Sequence, residues 1–133
     1  MGAQSHLFYF QSIEKSMKPA AIKPEISIDD VDKLDVRIGT IEEVVDVPES
    51  RKLLKLIVDF GDHKRSILSG IRQERENPQE IVGQQALFIV NLPERKMAGE
   101  LSQGMLFDVG YADGIQPVLA VAEKPTSNGA RAG

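Results

Sequence analysis

From residue 26 onward, apolar positions recur mostly with the period of two that suits a strand, in short runs separated by turn-forming residues. A short helix comes first: Ser27 is a good N-cap, Asp30 at the third helical position can reach back as a capping box, and Ile28, Val31 and Leu34 then share one face. Residues 36–47 read as a long strand with inward positions at Val36 and Ile38, then at Ile41, Val45 and Val47. The alternation changes phase at Gly39-Thr40, the mark of a bulge or sharp bend. Leu54, Leu56, Val58 and Phe60 alternate cleanly, Gly61-Asp62 supplies a turn, and residues 64–69 read as the returning strand of a hairpin. Asn77-Pro78-Gln79-Glu80 reads as N-cap, first-turn proline and capping glutamate of one short helical turn stopped by Gly83. Residues 86–92 run apolar almost without a break, as a strand buried on both faces would. Residues 104–109 and 117–121 supply two more strands around a loop at Tyr111-Ala112-Asp113-Gly114.

This order predicts an all-β domain of roughly five strands with a short N-terminal helix, a short helix between strands three and four, and a C-terminal extension. It matches a five-stranded Greek-key barrel of the oligonucleotide-binding (OB-fold) type, and from the pattern alone a different small β barrel fits almost as well. The 133 residues suit one core. At the N-terminus, Met1 to His6 shows no periodicity and Tyr9-Phe10-Gln11-Ser12 resembles the end of a protease-cleavage site attached to recombinant proteins. Lys15, Lys18 and Lys23 with Pro19 and Pro24 then read as a polar linker. Residues 1–25 are thus expected to be remnant plus linker and residues 26–133 the domain, an appendix of a longer polypeptide.

Composition narrows the chemistry. There is no cysteine and there are only two histidines, which leaves no thiolate nucleophile and no zinc site. No apolar run approaches the roughly 20 residues of a membrane span. No serine has a histidine base at a recognised spacing and no glycine loop suits a phosphate, so the chain is expected to be no enzyme by itself and to need no cofactor or metal. The net charge of −4 looks wrong for a nucleic-acid binder, but its distribution is polar. Residues 25–49 carry nine acids and two bases, net −7, and residues 51–75 carry seven bases and three acids, net +4.

Four segments carry a resemblance: Lys33-Leu34-Asp35-Val36-Arg37-Ile38-Gly39; Ser69-Gly70-Ile71-Arg72; Asn91-Leu92 followed by Arg95-Lys96-Met97-Ala98-Gly99; and Ser102-Gln103-Gly104-Met105. In order and spacing the set resembles the tRNA-binding domain of methionyl-tRNA synthetase C-terminal extensions and free-standing structure-specific tRNA-binding proteins, from about Ile26 to Gly133. Two positions depart from that family's pattern. Glu94 stands where a proline usually precedes the Arg-Lys pair, and Ser50-Arg51-Lys52-Leu53 carries a base where relatives commonly have an acid. The resemblance implies a cytoplasmic, non-catalytic module that binds tRNA, joined to a synthetase catalytic core upstream. It also implies a homodimer whose interface uses the N-terminal helix (Ile28, Val31, Leu34) and residues 118–133, including Val118 and Leu119. The same helix residues would equally plug one end of a monomeric barrel. A rival reading keeps the barrel but makes it a chaperone-like or scaffold protein-interaction module.

With that family in view, Arg95 and Lys96 follow the buried strand in a loop that Gly99 and Gly104 make pliable, where their charges reach a phosphate without desolvation by the core. The plainer reading is a solvated pair. Ser69, Asn91 and Ser102 offer neutral groups for 2′-hydroxyls or phosphates, with local turn bonding as the alternative and Asn91 as the better functional candidate. Met105 is placed at the barrel mouth as an adaptable surface for base or ribose, while Met97 is left open. Lys52, Lys64 and Arg65, with Lys55, form a basic stripe or serve solubility, and Arg72 belongs to the second segment of the resemblance. Arg37 faces outward, where pairing with a carboxylate is favoured. Phe60, Phe88 and Phe107 are assigned to the core, which argues against stacking platforms and for recognition of folded RNA by backbone and shape.

Overall fold

The computed structural model describes residues 18–133, so most of the expected remnant and linker lies outside the described residues. Ser27 caps helix α1 (Ile28–Asp32) in the expected manner, its hydroxyl accepting from the Asp30 amide at 3.2 Å while its own amide donates to the Asp30 carboxylate. The chain then enters β1 (Val36–Asp46), β2 (Leu54–Asp59) and β3 (Lys64–Ser69), crosses a 3₁₀ turn at Pro78–Ile81, and continues in β4 (Gln85–Ile89). Beyond lie a hairpin of β5 (Arg95–Met97) and β6 (Glu100–Ser102), then β7 (Met105–Leu106), β8 (Asp108–Val109) and β9 (Val118–Leu119).

The main sheet is antiparallel, in the order β3-β2-β1-β4-β7. Reading it as β4-β1-β2-β3 gives the Greek-key order, with the fourth strand returning beside the first. β1 is shared between two neighbours: Val36 to Thr40 pairs with β4 and Thr40 to Asp46 with β2. The sheet curls until its outer strands meet. The Gln103 amide donates to the Ser66 carbonyl at 2.8 Å, the Ser66 amide to the Gln103 side chain at 3.0 Å, and the Leu68 amide to the Ser102 hydroxyl at 3.0 Å. Inside lie Ile41, Leu54, Leu56, Val58, Phe60, Ile67 and Phe88, and Ile81 of the 3₁₀ turn joins this core. This five-stranded barrel is consistent with the oligonucleotide-binding type.

The phase change expected at Gly39-Thr40 is not found: β1 pairs with β4 without a slip from Val36 to Thr40, and Gly39 faces the core on the same side as Ile41. Gly39 sits under β2, where an added Cβ would fall 2.5 Å from Val58 Cγ1 and 2.9 Å from Phe60 Cε1. The slip lies instead between Ile41 and Glu43, where Glu42 is the extra residue of a bulge. It turns Val44 inward and leaves Val45 outside, which corrects the expected inward position at Val45.

Three further expectations are corrected. The strand expected over residues 86–92 stops at Ile89, because the Val90 amide bonds to the Asp35 carbonyl at 2.9 Å and the chain turns outward, exposing Leu92. The strand expected over residues 104–109 divides into β7, which pairs with β4, and β8, which pairs with β9; Phe107 between them is only half-buried. Glu80 does not cap its turn but pairs with Arg75 at 2.6 Å, and Asn77 alone accepts from Gln79. The C-terminal segment also has a local role. The Gly129 and Ala132 amides donate to Ile38 and Val36 carbonyls, both at 2.8 Å, and the Ile38 amide donates to Ala130, so residues 129–132 run along the first half of β1.

Gly39→Ala should destabilise the barrel by about 1–3 kcal/mol, the usual cost of forcing a methyl into a packed site, read as a lower urea midpoint at unchanged slope. An unchanged midpoint would show that β2 yields freely at this crossing.

Candidate nucleic-acid interface

Arg95 and Lys96 lie on strand β5 and not in a pliable loop. Arg95 is opposite Ser102, Lys96 opposite Leu101 and Met97 opposite Glu100. The connection is two residues long, Ala98 (φ 49°) and Gly99 (φ 80°), both left-handed as a type I′ turn requires. A strongly periodic run is too short here to betray a hairpin, and Ala-Gly is a weak turn signal beside Asn-Gly. Both cations remain exposed. The hairpin hangs from the barrel through Ser102, which is buried and whose hydroxyl accepts from Leu68 and donates to the Gly104 carbonyl at 3.3 Å.

Next to the hairpin lies a groove of about 440 Å³, with Arg95 and Glu94 on one side, Leu92, Met97 and Met105 as apolar surface, and Ser102 at its base. Met105 also borders a second hollow of about 420 Å³ that holds Lys52, Ser69, Glu74, Phe107, Asp108 and Tyr111. The two form adjoining depressions on either side of Met105. Five nominated residues therefore come together: Arg95, Ser102 and Met105 in the first, Lys52 and Ser69 with Met105 in the second. Lys96, next along β5 and paired with Leu101, lines neither depression, since successive side chains of a strand point to opposite faces.

The other four have structural partners. Asn91 accepts from the Asp35 amide at 2.8 Å and donates to the Lys33 carbonyl at 2.6 Å, pinning the exit of α1 to the barrel. Arg72 donates to the Ser50 carbonyl and pairs with Asp46 at 2.6 Å. Lys64 pairs with Glu42 at 2.9 Å. Arg65 donates to the Val90 and Gln103 carbonyls at 2.7 and 3.1 Å, lying 5.9 Å from the Phe60 ring centre, and so strengthens the closure of the barrel. Lys55 pairs with Glu100, and Arg37 pairs with Asp35 at 2.9 Å as expected. The bonded Arg37 guanidinium holds the Asp35 carboxyl below its usual range, and Arg131 adds to this from the C-terminal segment. Among the described residues, Lys52, Arg95 and Lys96 have no carboxylate partner.

The residues nominated for a dimer interface are placed unevenly. Ile28, Val31 and Leu34 are all exposed, as is Val118, whereas Leu119 packs partly against the core. Leu92 was not singled out from sequence as a groove residue, and its signal was present: an apolar side chain just past the buried strand, next to the cations.

A family described as "Putative tRNA binding domain" matches residues 36–131. The chain belongs to this tRNA-binding domain family. A methionine–tRNA ligase of Clostridium acetobutylicum is 43% identical over 103 residues, which is 77% of this chain and 16% of that protein. The chain thus spans about a sixth of the length of such relatives. Among solved structures, a MetRS-related protein from Pyrococcus horikoshii is 31% identical with a TM-score of 0.76, the match covering 83% of this chain and 99% of that one. A chaperone CsaA from Bacillus anthracis is 26% identical with a TM-score of 0.70, covering 83% and 100%. The family match takes in the hairpin, the groove and the C-terminal segment along β1.

Within this tRNA-binding domain the second hollow contains a carboxyl with altered acidity. Burial, and then the neighbouring Asp108, push Glu74 up from 4.5 to about 7. Between those values the folded chain holds a proton that the unfolded chain has released, so stability contributed by this group is complete below 4.5 and declines as pH rises through about 7. Glu74→Gln should flatten that decline in urea midpoints measured from about pH 5 to 8; an undiminished slope in the variant would place its source elsewhere.

Proposed function

We propose that this chain is a non-catalytic tRNA-binding appendix of a methionyl-tRNA synthetase, touching the phosphate backbone through Arg95, Lys96 and Lys52. The observation that carries the reading is that Arg95 and Lys52, exposed and unpaired among the described residues, line adjoining grooves within a tRNA-binding domain, with exposed Lys96 next to Arg95 on the same hairpin. A rigid β-hairpin presents two of them, so little conformational freedom is lost on contact. The appendix contributes by tethering: a weak second site raises the local concentration of tRNA near a linked catalytic core without new chemistry. That the match takes up only 16% of such a relative supports a core elsewhere in the parent polypeptide.

Labelled tRNA should bind with an affinity that falls steeply with salt, and Arg95→Ala with Lys96→Ala should weaken it and reduce the log–log salt slope by about 1–2, one phosphate contact per cation. Binding that ignores both salt and the double change would remove this face from the reading.

The likeness to the chaperone CsaA supports a second reading, a polypeptide-binding barrel. It predicts affinity for apolar peptide with little salt dependence, which the same titration with peptide as probe separates from phosphate neutralisation.

We also propose a homodimer through α1. Ile28 and Val31 stand exposed on a five-residue helix that could not hold its shape on propensity alone, and Leu34 is exposed just beyond its C-cap. Sedimentation at high micromolar concentration should give twice the monomer mass, and Val31→Asp should return it to one; a wild-type monomer under those conditions ends the proposal.

A further inference from the structure

The groove beside Arg95 has an apolar floor that phosphate contacts leave without a purpose. Leu92 is 41% exposed and Met105 47% exposed, and with half-buried Met97 they line this one groove. On the rim, the Glu94 carboxylate accepts from Gln103 Nε2 at 3.2 Å through one oxygen, and the other has no partner among the described residues. A bare carboxylate next to two cations that face phosphate is unfavourable for a purely backbone-reading surface. It becomes useful if the ligand brings a donor.

Resting on the tRNA-binding reading, we propose that this groove takes one unpaired, unstacked nucleobase of the bound RNA. The base lies against Met97, Met105 and Leu92, its flanking phosphate meets Arg95, and its exocyclic amino group donates to Glu94. Folded RNA offers such bases at loops, bulges and ends, and proteins commonly hold them on apolar or planar cationic side chains. Thioethers suit the polarisable face of a base. Glutamate accepts well from the amino group of cytosine, and adenine and guanine carry the same kind of donor, whereas uracil has none. The groove, at about 440 Å³, falls within the size of small-molecule sites. An apolar polypeptide would fill the floor but leave Arg95 at the groove unmatched, so charge complementarity favours the nucleotide.

The test uses short RNA duplexes of one sequence, either blunt or ending in a single unpaired 3′ nucleotide, titrated by fluorescence anisotropy at low salt. An unpaired A, C or G should tighten binding about tenfold over the blunt duplex, the scale of one base held on a side-chain platform, and an unpaired U should gain less. Leu92→Ser with Met105→Ser, both exposed positions, should remove most of that gain with an unchanged circular dichroism spectrum. Glu94→Gln should bring U level with the others, since an amide donates as well as accepts. Equal affinity for blunt and overhanging RNA, in a chain that still binds tRNA with steep salt dependence, overturns the assignment and leaves the tRNA-binding reading standing. Absence of binding to any RNA at low salt overturns both. An apolar peptide occupying the groove, with no gain from an overhang, overturns it in favour of a polypeptide ligand.

Discussion

The closure of the barrel by residues 102–104 is the constraint on which the rest depends. An open sheet ending in β3 and β7 would present two rows of unpaired amides and carbonyls, a template for pairing with other chains. Ser102 and Gln103 remove that edge with three hydrogen bonds to β3, and Arg65 adds two more from its guanidinium. Loss of the Ser102 hydroxyl would leave the buried Leu68 amide unpaired, at a cost of about 1–3 kcal/mol. The same serine ends β6 opposite Arg95. The element that seals the core therefore also sets the position of the presented cation, and the two cannot drift apart.

Charge follows a similar economy of placement. A chain of net charge −4 is not an obvious partner for a polyanion. Its acids, however, lie next to bases that have structural positions: Asp35 with Arg37 and Arg131, Glu42 with Lys64, Asp46 with Arg72, Glu80 with Arg75. Exposed pairs of this kind contribute little stability, but they determine where the positive potential remains. Cations left without a carboxylate partner near the hairpin act over about the Debye length of 8–10 Å, and acids farther away than that are largely screened by salt. Local arrangement therefore outweighs the net charge.

How far the sequence could be read depended on whether a signal was local. Ser27 with Asp30 and the clean alternation through Phe60 express short-range physics, and each led to a correct element, whereas the phase change expected at Gly39 lies at Glu42 instead. The Glu42 bulge was missed because Val44 and Val45 are both β-branched and apolar, so only the pairing with β2 decides which one faces inward. The β5–β6 hairpin was missed because its strands are three residues long and mostly polar. In the candidate site, exposure of Arg95 and Lys96 was legible from their position after a buried strand. The structural partners of Asn91, Arg65 and Arg72 were not, since Lys33, Val90 and Ser50 are brought to them only by the fold.

A barrel shared with both a MetRS-related protein and a chaperone does not by itself select a ligand; the site has to. Here the selection rests on two surfaces meeting at β5 and β7. The apolar floor, alone, would accept a peptide side chain or a base with little preference, because burial is non-directional. The cations, alone, would accept any polyanion. Their adjacency favours a ligand that carries an apolar face and a negative charge a few bonds apart, and a nucleotide has that arrangement by its covalent structure, whereas a polypeptide reaches it only where an acidic residue happens to neighbour an exposed apolar one.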